Sequence, residues 1–383
     1  MTERPENVGT IAEFEDLARH KTGLDDFGGD DYREGLEVLI RSYDTDAALT
    51  ERGLLIARKQ ILAVLTGRLK SQRGFAEHPE HVDVPVEAPI FVSGIARTGT
   101  TATQRLLSAD PAHQGLEMWL AESPQLRPRP DELAANADFV RSDAYYRARQ
   151  SAEAEFMKVH FMGAQEADEC WRLVQQTGLS ISFVCTAYLP SYTEWLTRQD
   201  WTPAYERYKK NLQLIGMHDT DKRWALKSPS HVFAVDAIMK VFPDALFVRT
   251  FRDPQTSMAS TFSLAEQGSA GMSEAFDRAT IGRSQFDLWA AGSESFQRAR
   301  RQYDDRQFFD LDYRHFVADP VAAIASIYEQ FGLPFDAAAR TAVEAAHQES
   351  LGSHRAPSHR YDLADFGVPA EEIDARFAAI AAL

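Results

Sequence analysis

The segment "PIFVSGIARTGTTATQRLL", residues 89–107, constrains the fold more than any other stretch of the chain. Ile90 to Val92 is a short apolar run after a proline, the mark of a strand buried on both faces. Gly94 and Gly99 frame a turn, and from Thr100 the pattern restarts as a helix carrying Leu106 and Leu107. A buried strand that feeds a helix through a glycine turn calls for parallel neighbours, so the expected class is α/β. The N–H groups at such a helix start converge on one place and the helix dipole adds positive charge there. The natural guest of the turn is therefore an oxyanion.

Two more units of the same kind follow. "RWALKSPSH" leads into "VFAVDAIMKVF", where Val235, Ile238, Met239 and Phe242 share one helical face, and Pro243 with Asp244 ends the run. "ALFVRTF" is a further buried strand, and "RDPQTSMASTFSL" turns into a helix, so the alternation predicts a parallel sheet. "QFFDLDY" is a later strand. "VADPVAAIASIYEQFGLPF" then carries Asp319 as N-cap, Pro320 at the first helical position and Gly332 with Pro334 as the stop.

These units set the organisation. Residues 1–85 read as a helical extension packed on the core, and residues 86–123 with 222–369 as the α/β core. Residues 124–221, helical, aromatic and charged, read as an insertion on the acceptor side, and 370–383 as a tail. The architecture expected is a three-layer P-loop-like fold, a central parallel sheet flanked by helices. At 383 residues the chain buries a large core without staples, and Cys170 and Cys185 form no paired or zinc-like spacing, so both are expected as buried reduced thiols.

Charge narrows the ligand. A net charge of −16 argues against a broad nucleic-acid surface, so an anionic ligand needs a local basic site. Residues 223–252 hold five Lys/Arg against Asp236 and Asp244, a local excess in an acidic protein. The first residues are acidic where a signal peptide is basic, and no run of 18 apolar residues occurs, so a cytoplasmic protein without an integral membrane segment is expected.

The anion-binding turn has the five-residue glycine spacing of the nucleotide-binding P-loop, yet Thr100 stands where that motif has lysine. Arg97 supplies the cation, its fork suited to phosphate or sulfate oxygens, and Thr98, Thr100 and Thr101 add hydroxyls around Gly99. The strand ending "TFRDP" presents a cation first, with Asp253 as the one acid a metal-dependent nucleotidase could use there.

With its "DP" extension the turn resembles the 5′-phosphosulfate loop of sulfotransferases that use 3′-phosphoadenosine-5′-phosphosulfate (PAPS), in the bacterial and tyrosylprotein-type version where arginine replaces lysine. The stretch from Arg223 to Leu264 resembles the family's second block, in which an arginine and a serine eight residues on hold the 3′-phosphate; Arg252 and Ser260 have that spacing. "DYRHFVADP" and "HRYDLADFGV" extend the similarity to about residue 369. Two departures are Ile95 after Gly94 and Thr98 in place of the usual serine.

The resemblance implies PAPS as sulfuryl donor, a small or lipid-like hydroxyl acceptor, no metal, and in-line displacement assisted by a general base. Arg97 stabilises charge on the departing phosphate, and Lys227 in "LKSPSH" is a second candidate for that role, an ordinary strand-end lysine being the other reading. Two residues compete as base: Glu117, 20 residues after Arg97 as in tyrosylprotein-type relatives, and His160, which matches a histidine of the bacterial group. His231 is expected to orient its helix, and Trp119, Trp171 and Trp195 to be core. The rival functions are a Mg²⁺-dependent P-loop kinase or NTPase and a non-catalytic nucleotide-binding protein.

Overall fold

The computed structural model describes residues 7–152, 162–352 and 363–383. Five strands, β1 (Ile90–Ser93), β2 (His113–Gly115), β3 (Arg223–Lys227), β4 (Leu246–Phe251) and β5 (Phe308–Asp312), form one sheet in the order β2-β3-β1-β4-β5. Every pairing is parallel. Successive side chains leave a strand on opposite faces, so a wholly parallel sheet needs apolar residues on both. In β1, Phe91 joins a cluster with Leu226 and Phe247, while Ile90 and Val92 join a second cluster with Ala225, Leu246 and Val248.

Helices cover both faces, as the α/β reading expects. Leu106 and Leu107 of helix Thr100–Ala109, Ile324 and Ile327 of helix Pro320–Phe331, and Val343 of helix Ala337–Gly352 close the second cluster. Helices Thr202–Ile215, Val235–Val241 and Arg278–Arg300 close the first, each buried side chain adding about 1.5–3 kcal/mol. The helix beginning at Pro320 has the predicted ends. The Asp319 carboxylate accepts from Ala322 N at 2.9 Å, and Gly332 closes the helix at φ +63°.

The amino-terminal helices Ile11–Thr22, Arg33–Thr45 and Glu51–Glu77 share the first cluster with the sheet face and with residues of 162–215. A buried polar knot ties them together. Arg68, fully buried, donates to the Phe27 and Gln176 carbonyls and pairs with Asp31, and Ser71 donates to Asn211 Oδ1 at 2.6 Å. The segment 162–215 has short helices at Trp171–Val174 and Pro190–Leu196 before Thr202–Ile215, with turns filling 178–189. Trp119 is fully buried, whereas Trp195 is half-buried and donates to Glu34. Both cysteines are free, and burial pushes each thiol up to about 12.

β1 leads toward β2 on one side, and β3 leads across it to β4 on the other. The strand order therefore reverses at the carboxyl end of β1, where open α/β sheets hold their ligands.

Candidate active site

The glycine turn sits at that point. Gly94 adopts φ +147°, and a Cβ there would lie 2.3 Å from the Thr250 carbonyl oxygen, so the backbone passes over β4 as only glycine allows. Gly99, at φ +95°, opens helix Thr100–Ala109 and leaves room for the ring of Tyr313. Arg97 is exposed at φ +70°, a left-handed conformation that costs a non-glycine residue about 1–3 kcal/mol and that clusters at functional loops. Thr100 is buried and Thr101 half-buried at the helix start. The Thr98 hydroxyl donates to the Ile95 carbonyl at 2.7 Å and meets the Thr250 hydroxyl, which braces the loop on β4.

β4 and its helix Pro254–Ser269 form the adjoining wall. The Thr261 hydroxyl reaches the Ala96 carbonyl at 3.5 Å, which sets this helix directly against the turn. Arg252, half-buried, lies over the ring of Tyr313 at 4.5 Å, and Ser260 is half-buried two turns along the helix. The Asp253 carboxylate accepts from Thr256 N at 2.8 Å and from the Thr256 hydroxyl, and so serves as the N-cap. Of the five cations in 223–252, only Lys227 and Arg252 stand at carboxyl ends of strands. Arg223 donates to the Ala88 carbonyl at the opposite end, Lys240 is exposed, and Arg249 pairs with Asp310.

Lys227 ends β3 beside Val92 of β1 and is wholly buried. Its ammonium donates to Glu169 Oε1 at 2.8 Å, with Asp168 Oδ1 at 3.9 Å. The backbone fixes this pairing, because Cys170 N bonds the Lys227 carbonyl at 2.9 Å. His231 lies beneath, fully buried, its Nδ1 2.7 Å from the Tyr205 hydroxyl. Burial, with Lys227 nearby, pushes its pKa down to about 3, so the ring is neutral.

Glu117 stands two residues past β2, at the same end of the sheet, and caps helix Met118–Glu122 by position. Its carboxylate accepts from the Trp119 indole at 2.5 Å and faces Arg127 Nε at 3.6 Å. Burial raises its carboxyl above the ordinary glutamate range, against the opposing pull of Arg127 and the indole. Arg127 is itself anchored by Asp219 at 2.8 Å and by the Gly115 carbonyl at 2.8 Å. His160 lies outside the described residues.

A family model described as the sulfotransferase family matches residues 89–337. The chain belongs to the sulfotransferase family. Among solved structures, sulfotransferase STF1 from Mycobacterium tuberculosis is 45% identical, with a TM-score of 0.91 over 98% of this chain and 100% of that one. Sulfotransferase STF9 from Mycobacterium avium is 26% identical, with a TM-score of 0.87 over 98% of this chain and 96% of that one. The omega-hydroxy-beta-dihydromenaquinone-9 sulfotransferases Stf3 of Mycobacterium bovis and Mycobacterium tuberculosis are 27% identical over 65% of this chain. The chain matches 64% of the length of these curated relatives.

In this sulfotransferase fold the loop 94–101, Arg252, Lys227 and Glu117 lie at the carboxyl ends of adjoining strands, and Ser260 on the helix that follows β4. The sequence reading did not single out Arg127 as the partner of Glu117, nor Glu169 as the partner of Lys227. Both pairings join residues that no local motif links, Glu169 with Lys227 across 58 residues of chain and Arg127 with Glu117 across a helix and a turn. No group of metal-ligating side chains occurs among the described residues, and none of their helices is long and apolar enough to cross a membrane.

Proposed function

We propose that this sulfotransferase moves the sulfuryl group of PAPS to a hydroxyl of a small or lipid-like acceptor. The observation that carries the reading is the adjacency of the loop 94–101 and the Arg252/Ser260 wall: the Thr98 and Thr250 hydroxyls are bonded, and Thr261 of the wall lies 3.5 Å from the Ala96 carbonyl of the loop. A nucleotide phosphorylated at both 3′ and 5′ positions fits such a pair, and the residues present suit it. The turn supplies N–H groups and Arg97 for the 5′ end, and Arg252 with Ser260 supplies donors for the 3′ end. The curated relatives carry a hydroxylated dihydromenaquinone in their name, which favours a lipid-like acceptor.

The residues then divide the work. PAPS supplies an activated sulfuryl group whose in-line transfer has a loose transition state, so positioning and charge stabilisation dominate. Arg97 and the N–H groups of the turn stabilise the negative charge that grows on the departing 5′-phosphate. Lys227 offers a second cation once its ammonium exchanges Glu169 for a sulfuryl or phosphate oxygen. Glu117, its carboxyl raised by burial, accepts the acceptor's hydroxyl proton near neutral pH, with His160 the other candidate.

Thermal stabilisation by adenosine 3′,5′-bisphosphate without added metal, and transfer of labelled sulfate from PAPS to hydroxylated acceptors, test the reading. Stabilisation only by Mg-ATP would overturn it in favour of a P-loop kinase or NTPase. That rival has Asp253 as its acid at the end of β4, and this carboxylate is already engaged as a helix cap. Donor binding with no transfer to any acceptor would favour a non-catalytic nucleotide-binding protein.

A further inference from the structure

Helix Ala137–Ala152 is fastened on its inner side to the end of the sheet that carries Glu117. Phe139 packs edge-on against Trp119, whose indole bonds the Glu117 carboxylate. The Tyr146 hydroxyl donates to Glu122 at 2.6 Å and the Ser142 hydroxyl at 3.1 Å, while Asp138 accepts from Lys70 at 2.7 Å. Only two side chains, Trp119 and Phe139, separate Glu117 from this helix.

The outer side is of another kind. Val140 and Tyr145 are 49% and 56% exposed, large side chains with apolar surface left in contact with solvent. Helical spacing sets them on one side with Arg141, Ala144, Arg147 and Ala148, all exposed. The two acids of the helix lie off that side. The Asp138 and Asp143 side chains are 15% and 31% exposed, against 67% and 76% for Arg141 and Arg147, which pair with them. Lys70 already neutralises Asp138, so the charge presented outward is positive.

The chain as a whole carries −16, and an anionic surface repels it at long range. At physiological salt, charges beyond about 8 Å are screened, so at contact the local face decides. Arginines beside a valine and a tyrosine suit the boundary between anionic headgroups and acyl chains, where cations meet phosphates and apolar side chains leave water. We infer that the outer face of helix Ala137–Ala152 docks on an anionic lipid bilayer, bringing the Glu117 end of the sheet to the surface at which a lipid acceptor presents its hydroxyl. This rests on the lipid-like acceptor proposed above.

The experiment floats the full chain with vesicles of phosphatidylcholine, alone or mixed with phosphatidylglycerol. Wild type should bind the mixed vesicles and leave them as salt rises. Arg141→Gln/Arg147→Gln should weaken that binding about fivefold per arginine. Val140→Ser/Tyr145→Ser should weaken it as well. All four positions are exposed, so both variants should keep the wild-type circular dichroism and the wild-type sulfation of a long-chain alcohol in detergent micelles. Arg301→Gln/Arg306→Gln, which removes two exposed arginines near the amino end of β5, should bind as wild type does. No binding by wild type, wild-type binding by either helix variant, or an equal loss in the β5 variant overturns the docking alone. Sulfation of water-soluble alcohols with none of long-chain alcohols in micelles removes the lipid-like acceptor, and the inference with it.

Discussion

At the scale of single residues, Lys227 and Glu117 are each governed by a charged partner on another element. Glu117 is lifted by burial and held by Arg127, so as a base it is competent only above its raised pKa. The expected pH profile of kcat/KM falls on the acid side at a higher pH than an ordinary glutamate near 4.5 would give. Arg127→Gln removes the charge that opposes the rise, and moves that acid limb further up. Glu117→Gln should lose about 10²–10⁴-fold in kcat. Retention of near-full turnover by Glu117→Gln would pass the base role to His160. Arg97→Ala should cost about 10²–10³-fold in kcat, the size of a lost oxyanion donor, in single-turnover sulfate transfer. A variant with near-wild-type turnover would take Arg97 out of the mechanism.

At the scale of elements, the glycine turn works because its backbone lies against β4. Gly94→Ala forces a Cβ to within 2.3 Å of the Thr250 carbonyl at a φ of +147°. The expected result is loss of thermal stabilisation by adenosine 3′,5′-bisphosphate, with circular dichroism still reporting the helices; an unchanged nucleotide shift would contradict the close approach. Much of the element pattern was readable beforehand. β1, β4 and β5 lie where their apolar runs predicted, and the helix from Pro320 has both foreseen caps. β2 was not foreseen, because a three-residue edge strand, "HQG", has too short a run to display a period. The bracing contacts of the Thr98 hydroxyl to Ile95 and Thr250 were not readable, since one of them reaches across to a strand 152 residues away.

At the scale of the whole molecule, buried polar groups tie the fold to pH. His231 has a folded pKa of about 3 against an ordinary value of 6.5, so between these the unfolded chain binds a proton that the folded chain refuses. Stability therefore falls as pH drops below about 6.5, by up to about 1.4 kcal/mol per unit from this group, and the loss levels off near 3. Denaturant titrations from pH 7 to 5 should show a smaller decline for His231→Gln than for wild type, and equal slopes would reject the linkage. Features encoded within a few residues could be read directly from the sequence: the strand, glycine turn and helix, the cation at Arg97, and the spacing from Arg252 to Ser260. Sterics and hydrogen bonding along a short stretch leave such features little choice. The partners that tune these groups, Glu169 on Lys227, Arg127 on Glu117 and Tyr313 under Arg252, emerged only from the packed sheet. They are set by how the elements pack, which brings together residues from separate elements and which local sequence preferences do not encode.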